Sequence, residues 1–121
     1  MTALTPAPGN LPAPFTSFVG RQRDVAEVRA LLRVARLVTL TGVGGVGKTR
    51  LALRVAELSR DTFPDGVWLV DLAPVRDPET VATAVLGALL LPDLGTRPAL
   101  EQLTCKLARH EALILLDNCE H

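Results

Sequence analysis

Residues 42–49, GVGGVGKT, constrain the fold of this chain more than any other stretch. They match the spacing G-x-x-x-x-G-K-[ST] and lie between an apolar run, residues 37–41, and a helical pattern that starts near Lys48. Glycine carries no Cβ, so a glycine-rich backbone can wrap closely around an anion. A strand, a glycine turn and a helix in this order predict a loop whose N–H groups cradle phosphates.

The residue types in this loop fit a nucleoside triphosphate with its magnesium ion. Lys48, one of only two lysines in the chain, is expected to reach the β- and γ-phosphates. The hydroxyl of Thr49 is expected to ligate Mg²⁺. Further nucleotide contacts are predicted for the neighbouring residues Gly42, Gly44, Gly45, Val46, Gly47 and Arg50. The sequence therefore predicts a site for ATP or ADP with Mg²⁺.

A second apolar run, residues 112–116, ends at Asp117. Because nucleotide sites of this kind take a metal-ligating acid from the end of a neighbouring strand, Asp117 is predicted to bind Mg²⁺ and to act with Lys48 in catalysis. Asn118 follows directly and cannot serve as a base. Glu120 is the candidate for activating water, with a solvated loop glutamate as the alternative. We expect nucleotide binding and at most weak ATPase activity.

Helical and strand patterns alternate along the chain. Helices are predicted over 21–33, after residue 48, over 78–90 with Asp77 as N-cap, and over 100–109; strands are predicted over 37–41, 67–72 and 112–116. This alternation predicts a P-loop NTPase fold, a three-layer α/β/α arrangement with an incomplete parallel sheet of about three strands. Residues 1–14 contain four prolines and predict a disordered leader or linker, which leaves 15–121 as the N-terminal portion of the NTPase domain.

Composition excludes several other classes of function. The formal net charge is zero and the arginines are scattered among acids, so direct nucleic-acid binding by this segment is not expected. Cys105 and Cys119 lack C-x-x-C spacing, which predicts reduced thiols rather than a zinc site or a disulfide. The start of the chain has no signal-peptide pattern, and no stretch approaches 18 apolar residues, so we expect a cytoplasmic protein without membrane contact.

Four segments together resemble the nucleotide-binding domain of STAND, or NB-ARC-like, ATPases, in the branch found in bacterial LuxR-type and antibiotic-regulatory transcription factors. They are SFVGR (17–21), TLTGVGGVGKTRLAL (39–53), FPDGVWLVDLAPVRDP (63–78) and LILLDNCEH (113–121). The resemblance implies a signalling switch in which ADP holds a closed state and ATP opens it. It also implies that Val19, Gly20 and Arg21 lie near the adenine, and that a DNA-binding domain lies elsewhere in a full-length relative.

The chain departs from that family pattern after Asp117. The sensor strand, helical lid and winged helix that the family places there do not follow, so we expect this chain alone to bind nucleotide without switching. The resemblance also places the sensor strand beside the Asp117 strand, so the isolated chain is expected to be marginally stable. An alternative is a truncated, non-catalytic fragment that docks onto a protein partner or oligomer. A small kinase or GTPase is a further alternative, although no D-x-x-G follows the second strand and no N-K-x-D occurs.

Overall fold

The structure is a computed structural model that describes residues 9–12, 22–41 and 45–119. The helices and strands are, in chain order, α1 (Gln22–Val34), α2 (Gly45–Leu58), β1 (Val67–Asp71), α3 (Val81–Ala88), α4 (Ala99–Leu107) and β2 (Leu113–Asp117), with short 3₁₀ helices at Arg60–Thr62 and Pro78–Thr80. Residues 12–59 form one compact unit, and residues 60–121 together with the chain through residue 11 form another. Within the described ranges, no helix is both long enough and apolar enough to cross a membrane.

The unit of residues 12–59 contains α1 and α2 packed through their apolar faces. Val25 of α1 and Leu51 and Val55 of α2 are buried together, and Val28 and Leu32 pack against them. The apolar spacing predicted both helices, and the structure confirms them.

The strand predicted over residues 37–41 does not form. These residues are described without helix or strand, Leu37 is 80% exposed, and Leu40 packs beside the α1–α2 core. A strand satisfies its N–H and C=O groups on a neighbouring strand, and the described residues of this unit contain no second strand. Leu40 therefore packs against the core because it is apolar, although residues 37–41 form no hydrogen-bonded strand pair.

The other unit is built on a two-stranded parallel sheet. β1 and β2 pair in register from Val67 with Leu113 to Asp71 with Asp117, and α3 and α4 provide the crossover between them. The even-numbered side chains of β1 face the helices: Trp68, Val70 and Leu72 belong to a core that includes Val85, Leu89, Leu103 and Ile114. Both strands were predicted to within one residue at each end.

The start of the predicted helix over 78–90 is a 3₁₀ turn that leads into α3. Asp77 occupies the N-cap position with Pro78 following, but its side chain makes no capping hydrogen bond. Its backbone carbonyl accepts instead, from the amide of Thr80 at 3.0 Å and from the hydroxyl of Thr80 at 2.8 Å. The position of the cap was therefore predicted, and its hydrogen bond was not.

A left-handed residue terminates α3. Leu90 has φ of 58°, its amide donates to the carbonyl of Gly87, and the amide of Leu91 donates to the carbonyl of Leu86. These two bonds define a Schellman motif, in which glycine usually holds the left-handed position. Leucine is strained there because its Cβ crowds the following carbonyl, a cost of about 1–2 kcal/mol.

Leu90→Gly is therefore expected to stabilise the protein by about 0.5–1 kcal/mol, the relieved strain less the entropy of a more flexible unfolded chain. Little packing is lost, since Leu90 is 82% exposed. Urea unfolding measures the change. Leu94→Gly is the matched control, because Leu94 is 63% exposed and has no positive φ, and it should be neutral or destabilising. Destabilisation by Leu90→Gly would contradict the assignment.

A buried glutamine organises the connection between α3 and α4. The side-chain amide of Gln102 donates to Asp93 Oδ1 at 2.9 Å and to the carbonyl of Arg97 at 2.8 Å, while its Oε1 accepts from the amide of Leu94. The amide of Gly95 donates to the same Asp93 oxygen. The Gln102 bond first and the Gly95 bond second hold the pKa of Asp93 below its ordinary value of 3.8.

The lowered pKa predicts an acid-sensitive contribution to stability. Ionised Asp93 stabilises the folded state above pH 3.8, and that contribution disappears as pH falls through its lowered folded pKa. Asp93→Asn cannot ionise, so the difference in unfolding midpoint between it and the wild-type chain should be constant at neutral pH and shrink below pH 3.8. Thermal unfolding from pH 7 downward measures it. A difference that grows in acid would contradict the assignment.

Candidate functional site

The first candidate region is the N-terminal end of α2. The helix begins at Gly45, three residues before the start expected from sequence, so Lys48 and Thr49 are its fourth and fifth residues. The backbone N–H groups of a first helical turn precede the helix's own hydrogen-bond ladder and carry its positive dipole end. Both side chains are half-buried, whereas Gly47 and Arg50 are exposed. Lys48 and Thr49 therefore lie close to the helix start, at the end of its first turn and the beginning of its second.

Several residues predicted for the site lie outside the described residues. They are Gly42 and Gly44 of the loop, Val19, Gly20 and Arg21 of the adenine-side motif, and Glu120. Their roles stay predictions, as do those of Gly45 and Val46, whose backbone lies in the first turn of α2.

The second candidate region, in the other unit, is the carboxyl end of the β1–β2 sheet. Asp71 and Asp117 end their strands in register, so two acids terminate neighbouring parallel strands. Asp117 is half-buried and its Oδ1 accepts from the amide of Asn118 at 3.0 Å. In open α/β sheets, ligands bind beyond the carboxyl ends of the strands, which is where these acids lie.

Asn118 joins the two acids through a left-handed turn. Its φ is 57°, a conformation that asparagine tolerates better than most residues. Its side-chain amide donates to Asp71 Oδ1 at 2.8 Å, and the same oxygen accepts from the amide of Ala73 at 2.9 Å. The bond from Asn118 and then the bond from Ala73 hold the pKa of Asp71 below its ordinary value. Asn118 is therefore held by two aspartates: its backbone amide donates to Asp117 and its side-chain amide donates to Asp71.

Asp71 and Asn118 are site residues that sequence reasoning missed. Asp71 was interpreted as a structural residue at the end of a strand, and Asn118 entered only as a residue that cannot be a base. The available signal was the matching arrangement of VWLVD and LILLD, two apolar runs that each end in aspartate. Parallel pairing in register brings those two ends to the same edge of the sheet.

The two candidate regions, each in its own unit, offer hard oxygen donors and one cation. Thr49 and Asp117 offer the hydroxyl and carboxylate oxygens that Mg²⁺ prefers, and Lys48 offers a positive charge for phosphate. Among the described residues there is no cluster of three or more histidines, cysteines and acids that could hold a metal by themselves. Cys105 and Cys119 are exposed free cysteines.

Over most of its length the chain is similar to bacterial regulatory proteins. A putative HTH-type transcriptional regulator of Mycobacterium tuberculosis is 46% identical over 94 residues, 78% of this chain and 10% of the relative. The regulatory protein AfsR of Streptomyces coelicolor is 38% identical over 129 residues, covering 92% of this chain and 13% of AfsR. An uncharacterized protein of Mycobacterium tuberculosis is 43% identical over 106 residues, 88% of this chain and 27% of the relative.

The chain therefore spans about a quarter or less of the curated relatives it matches. No family model matches it, and no solved structure does. Two of these three relatives are named as regulators, and the third is uncharacterized.

Proposed function

We propose that this chain is the nucleotide-binding segment of a cytoplasmic bacterial transcriptional regulator of the STAND, or NB-ARC-like, type. Its ligands are ATP and ADP with Mg²⁺, held within a P-loop NTPase fold. The formal net charge is zero and the arginines are scattered among acids along the sequence, so DNA would be bound by another part of such a regulator.

One observation carries the proposal: α2 begins within the phosphate-loop pattern at 42–49. Lys48 and Thr49 are the fourth and fifth residues of that helix, next to the N-terminal N–H groups and the dipole end that favour an anion. A glycine turn that contained a lysine for unrelated reasons would not need a helix start at the same residues. The similarity to bacterial regulators supports the regulatory part of the proposal independently.

The metal part of the proposal depends on the donor set. Thr49 would supply a hydroxyl oxygen and Asp117 a carboxylate oxygen, while Asn118 fixes the Asp117 carboxylate through the 3.0 Å bond to its amide. Bound Mg²⁺ would neutralise negative charge on the phosphate oxygens. Lys48 would hold the terminal phosphates as a mobile point charge. No described residue is assigned as the base for water, so nucleotide binding rather than turnover is the proposed activity.

Calorimetric titration of the 121-residue chain with ATP, ADP and GTP tests the proposal, with and without Mg²⁺. We expect saturable binding of both adenine nucleotides, tighter for ATP when Mg²⁺ is present. Nucleotide carried through purification would be released on denaturation and should be quantified first. Tighter binding of GTP than ATP would favour the GTPase alternative. Absence of both bound and titratable nucleotide would overturn the proposal for this chain.

A further inference from the structure

The peptide groups of β1 point alternately to two edges. Leu113 donates its amide to the carbonyl of Gly66 at 3.0 Å, and Leu72 donates its amide to the carbonyl of Asp117 at 2.9 Å. In a parallel ladder, even-numbered β1 peptides therefore face β2, and the odd-numbered peptides of Val67 and Leu69 face the opposite edge. An open edge made of apolar, β-branched residues is a template for pairing with another chain.

Residues 9 and 10 cover this second edge. Gly9 forms a parallel bridge with Val67. Beside it, the side-chain amide of Asn10 binds both polar groups of the Leu69 peptide: Nδ2 donates to the Leu69 carbonyl at 2.8 Å, and Oδ1 accepts from the Leu69 amide. One asparagine side chain thus takes the place of a peptide group in a neighbouring strand.

The approach of Gly9 to β1 permits no larger residue. A Cβ built on Gly9 would lie 2.1 Å from the carbonyl oxygen of Val67, and its φ of 153° is one that residues with a side chain rarely adopt. The bridge to Val67 therefore requires glycine at position 9, and the two hydrogen bonds to Leu69 require the side-chain amide of Asn10. They also assign a structural position to part of the segment that its prolines predicted as a disordered leader.

We propose that Gly9 and Asn10 form an edge cap, a two-residue device that keeps β1 from pairing with β1 of a second copy of this chain. The cap satisfies the outward peptide of Leu69 without adding a strand that would itself present an open edge. The segment VWLVD beneath it contains four apolar residues, two of them β-branched valines and one an aromatic tryptophan, a composition that favours strand addition between chains.

Amide hydrogen exchange by NMR, measured on the 121-residue chain, tests the cap at single residues. In the wild-type chain the Leu69 amide should be protected, although it lies on the edge away from β2. In Asn10→Ala its exchange should accelerate about 3- to 10-fold, the equivalent of one ordinary hydrogen bond. The Leu72 amide, which donates to β2, should keep its rate. Equal Leu69 rates in the two proteins would overturn the proposal.

Light scattering after size exclusion tests whether the cap blocks association. Asn10→Ala and Gly9→Val should form dimers or larger species as concentration rises, whereas the wild type and Thr83→Ala, a control at an exposed position of α3, should not. Variants that stay monomeric would overturn the blocking role. If a variant does not fold, the exchange rates of the wild-type chain still test the cap. A Leu69 amide that exchanges as fast as in an unstructured peptide, while the Leu72 amide is protected, would exclude the cap.

Discussion

Lys48→Ala is expected to weaken the binding of ATP and ADP by about 10- to 100-fold, because a hydrogen bond to a charged group contributes about 1.5–3 kcal/mol. Lys48 is the lysine of the phosphate-loop pattern, and it lies half-buried in the first turn of α2. Alanine is a good helix former, so the helix should persist. Calorimetric titration with each nucleotide measures the loss, and circular dichroism checks the fold.

Arg54→Ala provides the matched control on the same helix. Arg54 lies beyond the first turn of α2 and forms an ion pair with Glu57, with 3.6 Å between Arg54 Nη1 and Glu57 Oε1. Removing it deletes one positive charge from α2 while leaving the proposed phosphate site intact. Nucleotide affinity should change less than about twofold, since exposed ion pairs contribute little and surface charges are screened. An equal loss in both variants, or no loss in Lys48→Ala, would contradict a specific role for Lys48.

The elements that sequence predicted well are those whose signal is local. The apolar spacing of Val25, Val28 and Leu32 specifies one face of α1, and the structure packs that face on α2. The runs at 67–72 and 112–116 are short, apolar and bounded by polar residues or turns, and both became strands. In each case the information lies within a few residues of the element itself.

The strand predicted over 37–41 failed for the complementary reason. Its composition resembles that of β2, but a strand is also a pairing, and the described residues of its unit offer no neighbouring strand. Leu31 also shows that burial depends on a packing partner as well as on the local pattern. It shares the predicted apolar face of α1 and is nevertheless 48% exposed, because a helix face is buried only as far as its partner extends.

The candidate site divides in the same way. Lys48, Thr49 and Asp117 are predicted from sequence by a spacing rule or a strand end, and their roles stay predictions. Other contacts join residues that are far apart in sequence. Asp71 and Asn118 are separated by 47 positions, and Asn10 and Leu69 by 59 positions. Such contacts depend on strand register, which single-sequence patterns do not contain.

Leu86→Ala is expected to destabilise the unit of residues 60–121 by about 2–5 kcal/mol, the usual range for emptying a leucine-sized space in a core. Leu86 lies in α3 with 1% of its surface exposed, and α3 packs against both α4 and β1. Small domains are commonly stable by only about 5–15 kcal/mol, so this single change would remove a large share. Trp68, the only tryptophan, packs in the same unit and reports its unfolding in urea by fluorescence.

Leu100→Ala separates the effect of the cavity from the effect of the substitution. Leu100 belongs to α4 and is 67% exposed, so the same change there should cost less than about 0.5 kcal/mol. The contrast tests whether the α3 layer, rather than hydrophobic content in general, holds the β1–β2 sheet and the Asp71–Asn118–Asp117 edge together. Similar losses at both positions would contradict the packing of α3. A loss confined to Leu86 would support α3 as the layer that stabilises the β1–β2 sheet.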